Sequence, residues 1–192
     1  VLMEIGQPMH AFDLAQLSGP AIVVRAAEAG ESFTTLDDEQ RTLPAGALLI
    51  CDAVKPVAVA GVMGGKDSAV YAGATSLLLE SACFHPSSVR RTARQLGLST
   101  DSSYRFERGS DPNITMWALK RAAALLAEVA GGQVRGMYDN YPRPVPAPEI
   151  RLRPARCNAV LGIDISAEEQ RAILEALSFG VTPEGDALRC TV

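Results

Sequence analysis

The chain has 192 residues, 47% of them apolar and 21% charged, an ordinary globular composition with enough chain for one large domain or two smaller ones. A net charge of −4 argues against a broad nucleic-acid-binding surface, and no apolar run approaches the ~20 residues that span a bilayer. The start, Val1-Leu2-Met3-Glu4-Ile5, has no signal-peptide pattern, and Cys51, Cys83, Cys157 and Cys190 lie too far apart for a zinc site or a disulfide framework, so free thiols in a reducing compartment are expected.

Pro8 biases its neighbours toward extended backbone, so His10 and Phe12 are expected on one face of a strand, with Asp13 near enough to orient an imidazole. Ala21–Ala26 reads as a strand, and Arg41-Thr42-Leu43 follows the turn-like Leu36–Gln40. Ala47–Asp52 and Pro56–Val62 are short, nearly continuous apolar runs of the kind buried on both faces. Leu77–Ala82 is another, interrupted by a single acid, Glu80, which shares a side with Leu78. Pro86 opens a helix through Arg90, Arg91 and Arg94 to Gly97. Asp111-Pro112 caps a longer helix, Asn113 to Ala130, whose Ile114, Trp117, Ala118, Leu125 and Val129 keep helical spacing and are expected in the core, as is Met116.

Four prolines between Pro142 and Pro148 forbid regular helix and make a stiff spacer. Beyond it, Pro154 starts a short helix ending at Gly162, and Ser166 with Glu169 sets up a capping box. A start without Met and an end inside an apparent strand, Ala187–Val192, read as an excised piece of something longer. The expected fold is α+β: a layered mixed β-sheet domain with flanking helices over residues 1–142, a linker at 143–148, and a small partial α/β unit at 149–192.

Several groups carry chemistry on paper. His10 is one of two histidines and is open to a packing or a functional role. Glu80 is either a strand-end surface acid or a carboxylate on an apolar face, which is costly unless it finds a donor. Gly61, Gly64 and Gly65 serve tight turns, or let backbone approach a ligand and offer amide donors. Residues 86–121 hold seven Lys/Arg against three Asp/Glu, a local +4 that meets phosphates or is neutralised by neighbouring acids. Arg105, Glu107, Arg108 and Asp111 are expected to form an ion-pair and capping network. Cys83 with His85 is a spacing common by chance with nothing else to support it, and Asp101 and Ser103 combine with His10 only on paper, since the sequence alone does not bring them together.

Two peptides exceed generic patterning: Gly6-Gln7-Pro8-Met9-His10-Ala11-Phe12-Asp13, and Leu98-Ser99-Thr100-Asp101-Ser102-Ser103-Tyr104-Arg105-Phe106-Glu107-Arg108-Gly109-Ser110-Asp111-Pro112. Between them lie Ala60-Gly61-Val62-Met63-Gly64-Gly65 and Leu79-Glu80-Ser81-Ala82-Cys83-Phe84. Together, in this order, they resemble the bacterial phenylalanyl-tRNA synthetase β-subunit family in its B3/B4 region, and residues 149–192 resemble the start of that family's B5 domain. The resemblance implies a site that hydrolyses tyrosine wrongly attached to tRNA(Phe). It implies His10 as the catalytic residue near the ester and terminal adenosine, and Glu80 as the acceptor of the tyrosine hydroxyl. Ala60, Gly61, Gly64 and Ser102 would form the pocket wall, Ser102 standing where the family usually has Ala. No covalent nucleophile, metal or cofactor is implied for this part, whereas ATP and Mg²⁺ are implied for the whole enzyme. Implied partners are the tRNA(Phe) 3′ end, the synthetase α subunit in an α₂β₂ assembly and the remaining β-subunit domains, in the cytoplasm and away from membrane. The alternative is a non-catalytic tRNA- or subunit-binding structural module of the same assembly.

Overall fold

A computed structural model describes residues 1–192, which divide into two compact units, Val1–Tyr141 and Pro142–Val192. In the first, a single helical turn, α1 (Leu2–Ile5), stops at Gly6, and Pro8 then sends the chain into strand β1 (Met9–Asp13). The partner of β1 comes from far along the sequence. It is β8 (Leu77–Ser81), antiparallel, with His10 opposite Glu80 and Phe12 opposite Leu78. The alternation expected for each strand therefore falls on one shared face.

The first long apolar run forms β5 (Leu48–Cys51), and the second begins as β6 (Pro56–Val59); Leu49, Ile50, Val57 and Val59 are buried. The second run does not continue as one strand to Val62. Gly61 adopts φ +69° and the Val62 N–H closes back on the Val59 carbonyl at 3.0 Å, so the chain reverses into the short β7 (Met63–Gly64). β2 (Val23–Ala26) covers the other side of β5, giving a sheet in the order β2-β5-β6-β7. As an edge strand it leaves Val23 and Val24 exposed. β3 (Ser32–Thr34) and β4 (Gln40–Thr42) make a separate hairpin, bridged by Thr35 to Gly65. Every pairing is antiparallel, so the layered α+β architecture is built from several small sheets.

α2 (Pro86–Leu96) packs Val89 and Ala93 into the core, and α3 (Asp101–Phe106) adds Phe106, whose ring meets Phe84 edge to face at 4.9 Å. α4 (Thr115–Ala130) follows a 3₁₀ turn at Pro112–Ile114 rather than beginning at Asn113, because Asp111 accepts the Asn113 N–H and tightens that turn. Only Ala118 of α4 is buried, while Trp117 is 53% and Val129 83% exposed, against the expectation that both lie in the core. α4 packs along β8, with the Ser81 hydroxyl donating to the Thr115 carbonyl at 2.7 Å, and this close approach admits a small residue at the contact. Of the cysteines, Cys51 and Cys190 are buried, Cys157 is partly buried and Cys83 is exposed.

The second unit orders its strands β10 (Gly180–Glu184), β11 (Ala187–Thr191), β9 (Glu149–Leu152), with helices α5 (Pro154–Leu161) and α6 (Ala167–Ala176). Val181, Leu188 and Cys190 pack with Leu152, Leu174 and Phe179. Buried Gln170 donates to Asn158 Oδ1 at 2.8 Å and to the Ile165 carbonyl at 3.0 Å, clasping the α5–α6 loop, and Ser166 accepts the Glu169 N–H at the start of α6.

Candidate functional site

A cleft of about 680 Å³ opens in the first unit, and His10, Ala60, Gly61, Gly64, Glu80 and Ser102 all line it. This volume suits a small organic ligand. The six residues come from β1, the β6–β7 reversal, β8 and α3, which the antiparallel pairings bring to one end of the unit.

His10 and Glu80 are direct cross-strand neighbours, the arrangement that sets side chains closest across a sheet. The His10 ring meets Phe12 edge to face at 4.5 Å. His10 Nε2 and Glu80 Oε2 are both shielded from solvent, and neither has a hydrogen-bond partner. Burial acts on the two groups in opposite senses, as it must when the charged form is disfavoured. It lowers the His10 pKa, leaving the imidazole neutral at pH 7, and raises that of Glu80 to about 7. Asp13 does not orient His10. Three residues along a strand it faces the other way, and it caps the following 3₁₀ turn by accepting the Ala15 N–H at 3.1 Å.

The glycines are spaces before they are donors. A Cβ on Gly64 would lie 2.3 Å from His10 Cε1 and 2.6 Å from Nε2, so the imidazole rests on this residue's bare backbone. A Cβ on Gly61 would meet Phe84, Phe106 and Val89. Of the glycine amides expected to serve a ligand, that of Gly65 is committed elsewhere, donating to the Val57 carbonyl at 2.8 Å, as is the neighbouring Ala60 N–H, which donates to the Leu48 carbonyl at 2.9 Å. Gly65 supports the wall from behind. On α3, the Ser102 hydroxyl donates to the Gly61 carbonyl at 3.2 Å and Thr100 Oγ1 to the Val62 carbonyl at 2.7 Å, which pins the reversal against the helix. Thr100 and Ser103 also form a reciprocal capping box, so Ser103 is not available as a nucleophile.

Sequence reasoning missed Leu36, Asp37, Phe84, Thr100 and Phe106 as cleft residues. The Thr100-Asp101-Ser102 run carried a signal; Leu36 carried none, because it reaches the cleft only through hairpin docking. The basic stretch is partly self-neutralised. Arg105 pairs with Asp101, Arg108 pairs with Glu107 and stacks on Tyr104, Arg90 donates to the Glu107 carbonyl, and Arg121 makes a bidentate pair with Glu4. His85 Nδ1 lies 3.0 Å from the Ser87 hydroxyl, and Cys83 Sγ approaches the Ser110 carbonyl at 3.6 Å.

Known proteins are similar to this chain in sequence. The B3/4 domain model matches residues 1–131, and the tRNA synthetase B5 domain model matches residues 150–192. The chain is 55% identical along its whole length to the phenylalanine–tRNA ligase beta subunit of Geobacter sulfurreducens, covering 24% of that protein. It is 52% identical along its whole length to the protein of the same name from Salinibacter ruber, covering 23% of it. The chain thus spans about a quarter of the length of the curated relatives it matches. A solved N-terminal fragment of the phenylalanyl-tRNA synthetase beta-subunit from Pyrococcus horikoshii aligns over 95% of this chain and 53% of its own length, at 16% identity and a TM-score of 0.46, a likeness too distant to bear on the site.

Proposed function

Because the chain belongs to the B3/4 domain family and continues into a tRNA synthetase B5 domain, we propose that it is the editing part of a phenylalanine–tRNA ligase beta subunit, hydrolysing the ester of tyrosine misattached to tRNA(Phe). The observation that carries this reading is the His10–Glu80 pair, two buried polar side chains with unused hydrogen-bonding capacity set side by side in the cleft.

Glu80 is the selective element. A tyrosine phenol donates its O–H to the carboxylate and satisfies it, whereas phenylalanine would cover the same group with an apolar ring edge. Leaving a buried charged acceptor unpaired costs more than an ordinary hydrogen bond contributes. A site built to bond a hydroxyl therefore separates the two amino acids far better than an apolar pocket that merely meets the extra atom.

His10 is assigned to the ester and terminal adenosine. Its Nε2 rests against Gly64 with no acceptor, so the tautomer protonated on Nδ1 avoids burying an unpaired N–H. The imidazole then offers its Nδ1–H as a donor to an ester oxygen, where negative charge develops as water attacks. Water adds to the ester carbonyl, the terminal ribose oxygen leaves with a proton, and tyrosine and tRNA(Phe) are released. Ester hydrolysis is downhill with water as the nucleophile, so this step is expected to proceed without ATP and in the presence of a chelator. ATP, Mg²⁺, the α subunit and the other β-subunit domains belong to the aminoacylation chemistry of the whole α₂β₂ enzyme.

The test is deacylation of tyrosyl- and phenylalanyl-tRNA(Phe) by the chain and by the full β subunit in its holoenzyme. The tyrosyl ester is expected to be cleared and the phenylalanyl ester to persist. If neither ester is cleared while tRNA is still bound, a non-catalytic binding module replaces the editing site.

A further inference from the structure

Leu36 is an apolar side chain left 43% exposed on a tip that is otherwise tied down. Its N–H donates to the Gly64 carbonyl at 3.0 Å, and the neighbouring Thr35, wholly buried, donates its N–H to the Glu39 carbonyl at 3.0 Å. Arg41 fastens the turn from the side. Its Nε donates to Thr35 Oγ1 at 2.9 Å, its Nη2 pairs with Asp37 at 2.6 Å, and its Nη1 donates to the Leu96 carbonyl at the end of α2 at 3.3 Å. Asp38 completes the turn at φ +67°. From this support Leu36 Cδ1 reaches within 3.0 Å of the point where a Cβ on Gly64 would lie, and His10 Cε1 is 2.3 Å from the same point. Leu36 and His10 thus close over one glycine on the cleft wall.

His10 covers the bare face of Gly64 and Leu36 lies beside it, so the leucine turns an exposed apolar side chain toward the cleft, a surface suited to the flat face of a ring. An apolar side chain held in water by a rigid support gains free energy when a ligand covers it, and little is lost in ordering it. We infer that Leu36 is a ligand-contacting residue of the cleft, packing against a planar aromatic ring, either the side chain of the amino-acid ester or the terminal adenine. The inference rests on the reading of the cleft as an aminoacyl-ester site and goes beyond it by naming the wall that grips the ring.

The probe is 3′-deoxy-3′-(L-tyrosylamino)adenosine, whose amide resists the hydrolysis an ester undergoes. It is titrated calorimetrically into this chain, wild type, Leu36→Ala and Leu36→Met, with thermal melting confirming that all three fold. Affinity is expected to fall about tenfold in Leu36→Ala and to stay within about twofold in the volume-conserving Leu36→Met. Tyrosinamide and adenosine titrated separately identify the ring, because only the one lying against Leu36 loses affinity in Leu36→Ala. Equal affinity of wild type and Leu36→Ala for the amide, or no binding by wild type, overturns the inference. A binding loss in Leu36→Ala alongside a full β subunit that leaves tyrosyl-tRNA intact upholds it and sinks the editing reading instead.

Discussion

Glu80 carries a carboxyl group on an otherwise apolar strand face, and burial alone raises its pKa to about 7. The consequence for stability has a definite sign. Between the ordinary carboxylate value of 4.5 and about 7, the folded chain keeps a proton that the unfolded chain releases, so this group makes stability fall as pH rises through that window. Glu80→Gln keeps the shape and cannot ionise. Its stability relative to wild type should therefore grow between pH 5 and pH 8, by on the order of 2–3 kcal/mol at most. Denaturant titration at the two pH values checks this, and a pH-independent difference would mean that the carboxyl is not held in an apolar setting. On the ligand side, the anion is the stronger acceptor of a phenol hydrogen. Discrimination between tyrosyl and phenylalanyl esters should rise with pH through about 7 in the wild type and be flat in Glu80→Gln. That Glu80 breaks an apolar run was legible in the sequence. That its Oε2 would find no partner was not, because orphaning depends on every chain segment that packs nearby.

The β1–β8 pair is the element that makes the site, and its register is reinforced at one end. Gln7, only 1% exposed, donates from Nε2 to the Ala82 carbonyl at 2.7 Å and to the Pro8 carbonyl at 3.1 Å, just beyond the Met9–Ser81 pair. Gln7→Ala should cost about 1–3 kcal/mol by denaturant titration, since it strands the Ala82 carbonyl. An unchanged midpoint would show that the strands hold register without it. Gly64→Ala tests the support that β7 gives to His10 on this pair. With a methyl 2.3 Å from His10 Cε1, the ring must move, and overpacking of this kind costs about 1–3 kcal/mol. The control is Gly132→Ala, where the nearest atom is 3.9 Å away and stability should not drop. Wild-type hydrolysis by Gly64→Ala would remove His10 from the mechanism. Alternation predicted which face His10, Phe12, Leu78 and Glu80 occupy, but a period of two does not name the partner strand, and β1 and β8 lie far apart in sequence. The same limit explains α4. Its helical spacing marks an apolar side, yet Trp117 and Val129 stay exposed because spacing cannot say whether another element covers that side.

At the scale of the whole molecule, the two units are joined through a stretch without regular structure between the end of α4 and β9, in which Tyr138 is 93% exposed. Limited chymotryptic digestion should cut first at Tyr138 and release two resistant fragments, whereas a first cut inside the β2-β5-β6-β7 sheet would contradict the division. Proline composition marked this region in the sequence. The extra length of exposed chain before Pro142 was not legible there, since Gly131-Gly132 stops the helix but does not fix the conformation of residues 133–141. The editing function proposed above rests on one carboxylate choosing between two amino acids that differ by one hydroxyl. The direct measurement is the rate of tyrosyl-tRNA(Phe) hydrolysis by the holoenzyme with wild-type or Glu80→Ala β subunit, alongside phenylalanine activation by the same preparations. Loss of a hydrogen bond to a charged acceptor predicts roughly a 10- to 100-fold slower clearance of the tyrosyl ester with activation nearly unchanged. Wild-type clearance by Glu80→Ala would contradict the role given to Glu80 and, with it, the editing reading of the cleft.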